Sequence, residues 1–162
     1  KTLDLLIAQY EDLRAQQLNM MKELRALSKN ERFEQPLRLL MTIPGIAQVS
    51  GLTILSEIDN IARFKDSSHL ASFVGLIPMC YSSGEHDGTG NLTVRRHAQL
   101  RWLIVESAWI AARKDPVLAA AYVEYCRRMK PSKAIVKIAR RLVNRIYFVL
   151  KHQHPYVNCY VS

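Results

Sequence analysis

LRLLMTIPGIAQVSGLTILSEI spans residues 37–58 and predicts two helices joined by a short turn. The pair Pro44-Gly45 interrupts apolar residues that otherwise recur at helical spacing, so one helix ends and another begins there. A turn that exposes the first N–H groups of the second helix is typical of a helix-hairpin-helix, which contacts phosphate without reading base sequence. We expect Gly45, Ile46 and Ala47 to make that contact. A turn that only packs is the open alternative, because Ala47 stands where a second glycine would ease phosphate approach.

Helical periodicity continues on both sides of this hairpin, and the predicted fold class is all-α, with weak strand patterns at residues 76–81 and 92–94. Residues 1–30 predict a coiled-coil arm, and residues 31–162 predict the helical domain that contains the hairpin. Apolar side chains of the arm alternate spacings of three and four, as a and d positions do, with only Gln17 breaking the series: Leu3, Leu6, Tyr10, Leu13, Met20, Leu24 and Leu27. We expect the arm to form a homo-oligomer. A long helix docked on its own domain is the alternative.

GLIPMCYSSGEHDGTGNLTVRRHAQLR, residues 75–101, predicts a glycine-rich polar loop followed by a basic helix with Thr93 as its N-cap. Ser82 and Ser83 are adjacent hydroxyls in this loop. Three cations follow them: Arg95, Arg96 and Arg101. A hydroxyl nucleophile beside guanidiniums that brace phosphate oxygens suits the cleavage of a phosphodiester. A surface turn before an ordinary cationic helix is the alternative.

The positive charge of the chain is concentrated at its C-terminal end. The net charge is +9, and no acidic residue follows Glu124. The last predicted helix, 133–151, combines an apolar stripe with cations on its other faces, among them Lys133, Lys137, Arg140 and Arg141. Such a one-signed helix favours nucleic acid as a partner, with an anionic membrane surface as the weaker alternative.

Other sequence features exclude several classes of protein. No apolar run approaches the ~18 residues that a membrane span needs. Cys80, Cys126 and Cys159 are odd in number and widely spaced, which argues against a disulfide framework or a metal site in this chain. We therefore expect no membrane partner and a reducing compartment. Because the chain begins at Lys1 within a helical pattern, we also expect it to be a piece of a longer protein.

Four segments resemble the C-terminal transposase domain of the Insertion Sequence 110 family in their order and spacing. LMTIPGIAQVSGLTILSEI resembles the hairpin of that family, and IARFKDSSHLASFVGLIP resembles the block that follows it. SSG with GNLTVRRHAQLRWLIVESAW resembles its serine-glycine signature, and KAIVKIARRLVNRIYFVLK with Pro155-Tyr156 resembles its closing helix. The resemblance covers most of the chain.

Members of that family are DNA recombinases that move an insertion element. The resemblance implies a serine that attacks the phosphodiester and forms a covalent serine–DNA intermediate. By position in the signature this serine is Ser83, with the adjacent Ser82 still open, and Arg101 matches the signature arginine. The resemblance also implies a guide RNA encoded by the element and a RuvC-like domain that binds Mg²⁺. Val94 and Arg96 depart from a frequent lysine and a frequent glycine of the family.

The sequence leaves two functions open. In the first, the chain is half of a recombinase active site in a bacterial, nucleoid-associated protein of the cytoplasm. It needs no cofactor of its own and is inactive alone, because the base and the Mg²⁺ belong to the RuvC-like domain. In the second, the chain is a non-catalytic nucleic-acid-binding module, and Ser82 and Ser83 are dispensable.

Overall fold

The computed structural model of the chain describes residues 2–83, 86–92 and 97–157, and within 78–92 it describes the backbone alone. The α-helices of these ranges are α1 Thr2–Leu27, α2 Glu31–Leu40, α3 Gln48–Ile58, α4 Ser67–Val74, α5 Ala98–Lys114, α6 Pro116–Arg128 and α7 Pro131–His152. A single turn of 3₁₀-helix, Ile61–Arg63, lies between α3 and α4.

Helix α7 lies at the centre of the hydrophobic core. Its predicted apolar stripe is buried throughout, with exposed fractions of 2% or less at Ile135, Ile138, Leu142, Ile146 and Val149. Helices α2, α4, α5 and α6 all pack against it. The helix begins with Pro131 at a first-turn position, where the missing N–H costs no hydrogen bond. The predicted all-α class is thus confirmed for this core.

The connection from α4 to α5 is the part of the fold that differs from the all-α prediction. Residues Pro78–Ser83 form strand β1 and residues His86–Leu92 form strand β2, paired antiparallel. Ser83 lies opposite His86 in this ladder. The segment predicted as a polar loop is therefore largely a two-stranded hairpin. Glycine and polar residues weaken the period-two apolar pattern by which a strand is recognised, so the sequence indicated it only weakly.

Two helix starts also differ from the prediction. Helix α4 is capped by Asp66, whose carboxylate accepts hydrogen bonds from the N–H groups of Ser68 and His69 at 2.8 and 2.9 Å. The sequence instead predicts Ser67 or Ser68 as this cap, because serine is a favoured N-cap residue. Helix α5 begins at Ala98 with His97 before it. Thr93, the predicted N-cap, lies outside the described residues.

Helix α1 is attached to the core at one end and is exposed along the rest of its length. None of its side chains is buried between Thr2 and Leu27. Leu24 packs partly against the core. Just after the helix, the Ser28 hydroxyl accepts a hydrogen bond from the Gln48 side-chain amide at 2.7 Å. The predicted helix is present, and its pairing with a second copy stays a prediction.

Candidate nucleic-acid interface and serine hairpin

The side of α7 that faces away from the core carries four of the predicted binding residues. Lys133, Lys137 and Arg141 are exposed, and Arg140 is half-buried. Lys133, Lys137 and Arg141 recur at intervals of four, and Arg140 lies three residues after Lys137, so the four share the outside of the helix. We call these four residues the basic face. No acidic residue occurs in α7, so the face has a single sign of charge.

Tyr125 of α6 holds two members of the basic face in place. The Lys137 Nζ lies 5.1 Å from the centroid of the Tyr125 ring, and the Arg141 Cζ lies 5.3 Å from it. Cation–π contacts of this kind are worth about 0.5–1 kcal/mol at exposed sites. Sequence analysis missed Tyr125, because the pairing joins two helices and leaves no trace in the spacing within either one.

Arg140 of the basic face contacts helix α4, which leads into strand β1. The Arg140 Nη2 donates a hydrogen bond to the Ser68 hydroxyl at 3.4 Å, in the first turn of α4. From Ser68 to Val74 the helix advances only about 9 Å, at about 1.5 Å per residue. The hairpin strand β1 then begins at Pro78. The hairpin therefore leaves the core within one short helix of Arg140.

His97 fixes the point at which the hairpin rejoins the core. Its ring stacks on Phe73 of α4 with centroids 4.2 Å apart. Its Nδ1 lies 3.3 Å from a carboxylate oxygen of Glu57 at the end of α3. The carbonyl of His97 accepts the N–H of Arg101 at 2.9 Å, so Arg101 lies in the first turn of α5. Both ends of the hairpin are thus anchored on α4.

The predicted catalytic and bracing residues are described to different extents. Ser82 and Ser83 end strand β1, and their side chains lie outside the described structure. Arg95 and Arg96 lie outside the described residues altogether. Arg101 is half-buried at the start of α5. The roles of these residues accordingly stay predictions.

The Pro-Gly turn between α2 and α3 has a packing role. Gly45 has φ = 95°, and a Cβ at that position would lie 2.3 Å from the backbone oxygen of Ser107 in α5. Two predicted phosphate donors are already bonded inside the turn: the Ile46 N–H to the Ile43 carbonyl at 3.1 Å, and the Ala47 N–H to the Ser50 hydroxyl at 2.8 Å. Phosphate contact at Gly45, Ile46 and Ala47 stays a prediction, and the glycine itself is explained by close packing.

A buried polar network joins this turn to α6, α7 and the C-terminal segment. Asp115 is fully buried and accepts hydrogen bonds from the Leu118 N–H at 3.0 Å, the Tyr156 hydroxyl at 2.8 Å and the Arg145 guanidinium. Tyr156 in turn donates its N–H to the Thr42 hydroxyl at 2.7 Å. Burial acts to raise the pKa of Asp115, but these hydrogen bonds and the charge of Arg145 outweigh it, and the pKa lies below its ordinary value.

The described residues contain neither a metal-binding cluster nor a membrane-spanning helix. Among them, no three His, Cys, Asp or Glu side chains lie close enough together to hold a metal ion. In the same ranges, no helix is long and apolar enough to cross a bilayer.

The chain is similar to transposases of insertion elements. Residues 37–123 match the family described as Transposase IS116/IS110/IS902 family. The chain is 27% identical over 143 residues to the transposase for insertion sequence element IS1111A of Coxiella burnetii, which covers 83% of this chain and 37% of that protein. It is also similar to the insertion element IS116 uncharacterized 44.8 kDa protein of Streptomyces clavuligerus. The two are 25% identical over 128 residues, which cover 78% of this chain and 32% of that protein. The chain thus spans about a third of the length of these relatives.

Proposed function

This chain belongs to the IS116/IS110/IS902 transposase family, and on that premise we propose that it supplies the serine nucleophile of a DNA recombinase. In this proposal Ser83, or its neighbour Ser82, attacks a phosphodiester of the element or its target. The serine oxygen bonds to phosphorus, the 3′ or 5′ oxygen of the broken strand leaves with a proton, and a covalent serine–DNA intermediate results. Attack by the freed hydroxyl of the partner strand then releases the serine.

One observation carries the proposal: the basic face of α7 contacts α4, the short helix that leads into the hairpin with both serines. Arg140 of that face bonds to Ser68, one short helix before the hairpin. A DNA strand whose phosphates lie along Lys133, Lys137 and Arg141 would therefore pass close to the base of the hairpin. Cations at this place would stabilise the negative charge that develops on the pentavalent phosphate.

Activation of the serine requires groups from outside this chain. A serine hydroxyl is a weak nucleophile near neutral pH without a neighbouring base or metal. We assign the base and the Mg²⁺ to a RuvC-like domain elsewhere in the longer protein, with a guide RNA choosing the DNA. The coiled-coil arm α1 would bring two copies together at the DNA in the bacterial cytoplasm. This chain by itself should then bind DNA without cleaving it.

Covalent trapping tests the proposal. The full-length protein is incubated with its RNA and labelled, nicked DNA, and denaturing gels compare wild type with Ser83→Ala and Ser82→Ala. Ser72→Ala, an exposed serine of α4, is the matched control. Positions 82 and 83 are consecutive in a strand and belong to opposite faces of the ladder, so we expect only one of the two variants to lose the adduct. An adduct that persists in both variants, or recombination without an adduct, would refute the serine mechanism.

The basic face also favours a second candidate, a nucleic-acid-binding module without a catalytic serine. Lys137→Glu or Arg141→Glu would abolish DNA binding under either proposal, since each places a negative charge among phosphate contacts. The two proposals differ in the serine variants. Full recombination by a Ser82→Ala, Ser83→Ala double variant would select the binding module.

A further inference from the structure

Trp102 is exposed in a way that the core does not explain. It lies in the second turn of α5 and its residue surface is 64% exposed, whereas Trp109, one heptad later on the same helix, is half-buried. Trp109 packs edge-to-face on Tyr122 of α6, with ring centroids 5.7 Å apart. The indole of Trp102 therefore has most of its surface in solvent, where a ring face is open to a planar ligand.

The position of Trp102 can be derived from the turn between α5 and α6. Helix α6 begins directly after Asp115. Trp109 lies six residues before Asp115 and Tyr122 lies seven residues after it, and their rings are in contact. The two helices therefore run back along one another. Trp102, two turns further from the connection than Trp109, lies level with the C-terminal end of α6, at Arg128.

The charges at this end of the molecule are mainly positive. Arg127 and Arg128 share the carboxylate of Glu124, at 3.3 and 2.8 Å, and both arginine side chains remain more than 70% exposed. Beyond Glu124 the chain has no acid, and Lys130 and Lys133 follow before the rest of the basic face. Glu106, one turn after Trp102, is the negative group on the helix of the tryptophan itself. The balance complements an anionic partner.

We propose that Trp102 stacks on a base of an unpaired nucleic-acid strand whose phosphates contact the cations of α6 and α7. This inference rests on the proposed function. It adds a contact for the same DNA strand, because Trp102 directly follows Arg101 near the start of α5. Stacking on an aromatic ring needs the open face of a base, which a single strand offers and a duplex hides. Trp102 therefore selects unpaired over paired strands.

Fluorescence tests this contact directly, because Trp102 and Trp109 are the two tryptophans of the 162-residue chain. In a Trp109→Phe background the emission comes from Trp102. We expect a short oligo(dT) strand to quench that emission, and a duplex of the same length to quench it far less. Anisotropy of a labelled strand measures binding in parallel. Unchanged emission while the anisotropy reaches saturation would overturn the proposal.

Affinity variants provide a second, independent readout. Trp102→Phe should bind oligo(dT) nearly as wild type does, whereas Trp102→Leu, which keeps apolar bulk without an aromatic face, should bind about tenfold more weakly. Phe148→Leu is the matched control, since Phe148 is 57% exposed on α7 and packs against His152. Equal affinity of Trp102→Leu and wild type for oligo(dT) would overturn the proposal. A Trp102→Leu variant that changes the sedimentation mass but not the affinity would also overturn it, because Trp102 would then be a contact between copies.

The failure of this inference can be told apart from the failure of the serine proposal. If Trp102→Leu binds normally and the full-length protein still forms the serine adduct, the stacking contact falls and the serine mechanism stands. If neither serine variant affects the adduct while Trp102 emission is quenched by oligo(dT), the serine mechanism falls and the stacking contact stands.

Discussion

Helices α1 and α7 have similar apolar periodicity and opposite surroundings. In α7 the stripe that contains Ile138 and Leu142 is wholly buried. In α1 the corresponding residues Leu6 and Leu13 are 57% and 64% exposed. Helix α1 has 26 residues and an apolar seam broken only at Gln17, and it buries no side chain against the described part of the chain. Periodicity therefore identifies the face that will be covered, but it does not identify what covers it.

The polar sides of the two helices differ as well. Helix α1 carries charges of both signs, including Asp12, Arg14, Lys22 and Glu23, whereas α7 carries cations alone. Mixed charge suits a solvated coiled-coil surface, and a single sign suits an anionic ligand. The contrast agrees with the proposed roles, in which α1 serves assembly and the outer side of α7 binds nucleic acid.

The largest effect on stability should come from truncating the buried stripe of α7. Leu142→Ala should lower the free energy of unfolding by about 2–5 kcal/mol, because it leaves a cavity in a close-packed core. Leu13→Ala in α1 is the matched change at an exposed position, and should alter core stability by no more than about 0.5 kcal/mol. Urea denaturation of dilute protein measures both. Equal losses in the two variants would mean that α1 belongs to the core.

The second largest effect should come from the buried network around Asp115. Asp115→Asn leaves the largely buried Arg145 without its carboxylate, and should cost about 3 kcal/mol near pH 7. The pKa of Asp115 is lowered in the folded protein, so its contribution is present above the ordinary value of about 3.9 and is lost as the pH falls through the folded pKa. The difference between variant and wild type should therefore shrink below about pH 4.

Glu124→Gln is the control for that measurement. Its carboxylate is paired with Arg127 and Arg128 on the surface, where ion pairs contribute at most about 1 kcal/mol. A difference between wild type and Asp115→Asn that stays constant from pH 7 to pH 3 would show that the charge of Asp115 plays no part.

A third effect concerns the turn that packs on α5. Gly45→Ala should destabilise the protein by about 1–3 kcal/mol, since φ is positive and the added Cβ meets the main-chain oxygen of Ser107. Gly51→Ala in α3 is the matched control, because the Cβ there would meet the movable end of the Leu37 side chain at 2.5 Å. Thermal unfolding of both variants measures the difference, and a stable Gly45→Ala variant would contradict the packing explanation.

The smallest effect on stability, with a clear effect on binding, should come from the basic face. Lys137→Ala should reduce the slope of log K against log salt concentration for DNA by about 1, because one phosphate contact is lost. Lys22→Ala, an exposed cation of α1, should leave the slope unchanged. Titrations at several salt concentrations decide the matter. Equal slopes for the two variants would remove Lys137 from the interface.

Much of the core and part of the candidate site could be predicted from the sequence. The stripe of α7 follows from spacing alone, and Asp115 directly before Pro116 predicts a helix cap, because proline is favoured in the first turn. The hairpin from Pro78 to Leu92 was largely missed, since its glycines obscure the strand pattern. Tyr125 was missed because the cations over its ring, Lys137 and Arg141, belong to another helix.

The sequence by itself determined where the helices lie, which face of each is apolar, and where the charge is concentrated. These properties depend on neighbours within a few residues along the chain, and so periodicity and composition contain them. Only the tertiary structure decided that Gly45 packs on Ser107, that Arg145 is buried on Asp115 and that Arg140 reaches Ser68. Each of these contacts joins residues far apart in the chain, and their energies depend on distances that exist only once the helices have packed.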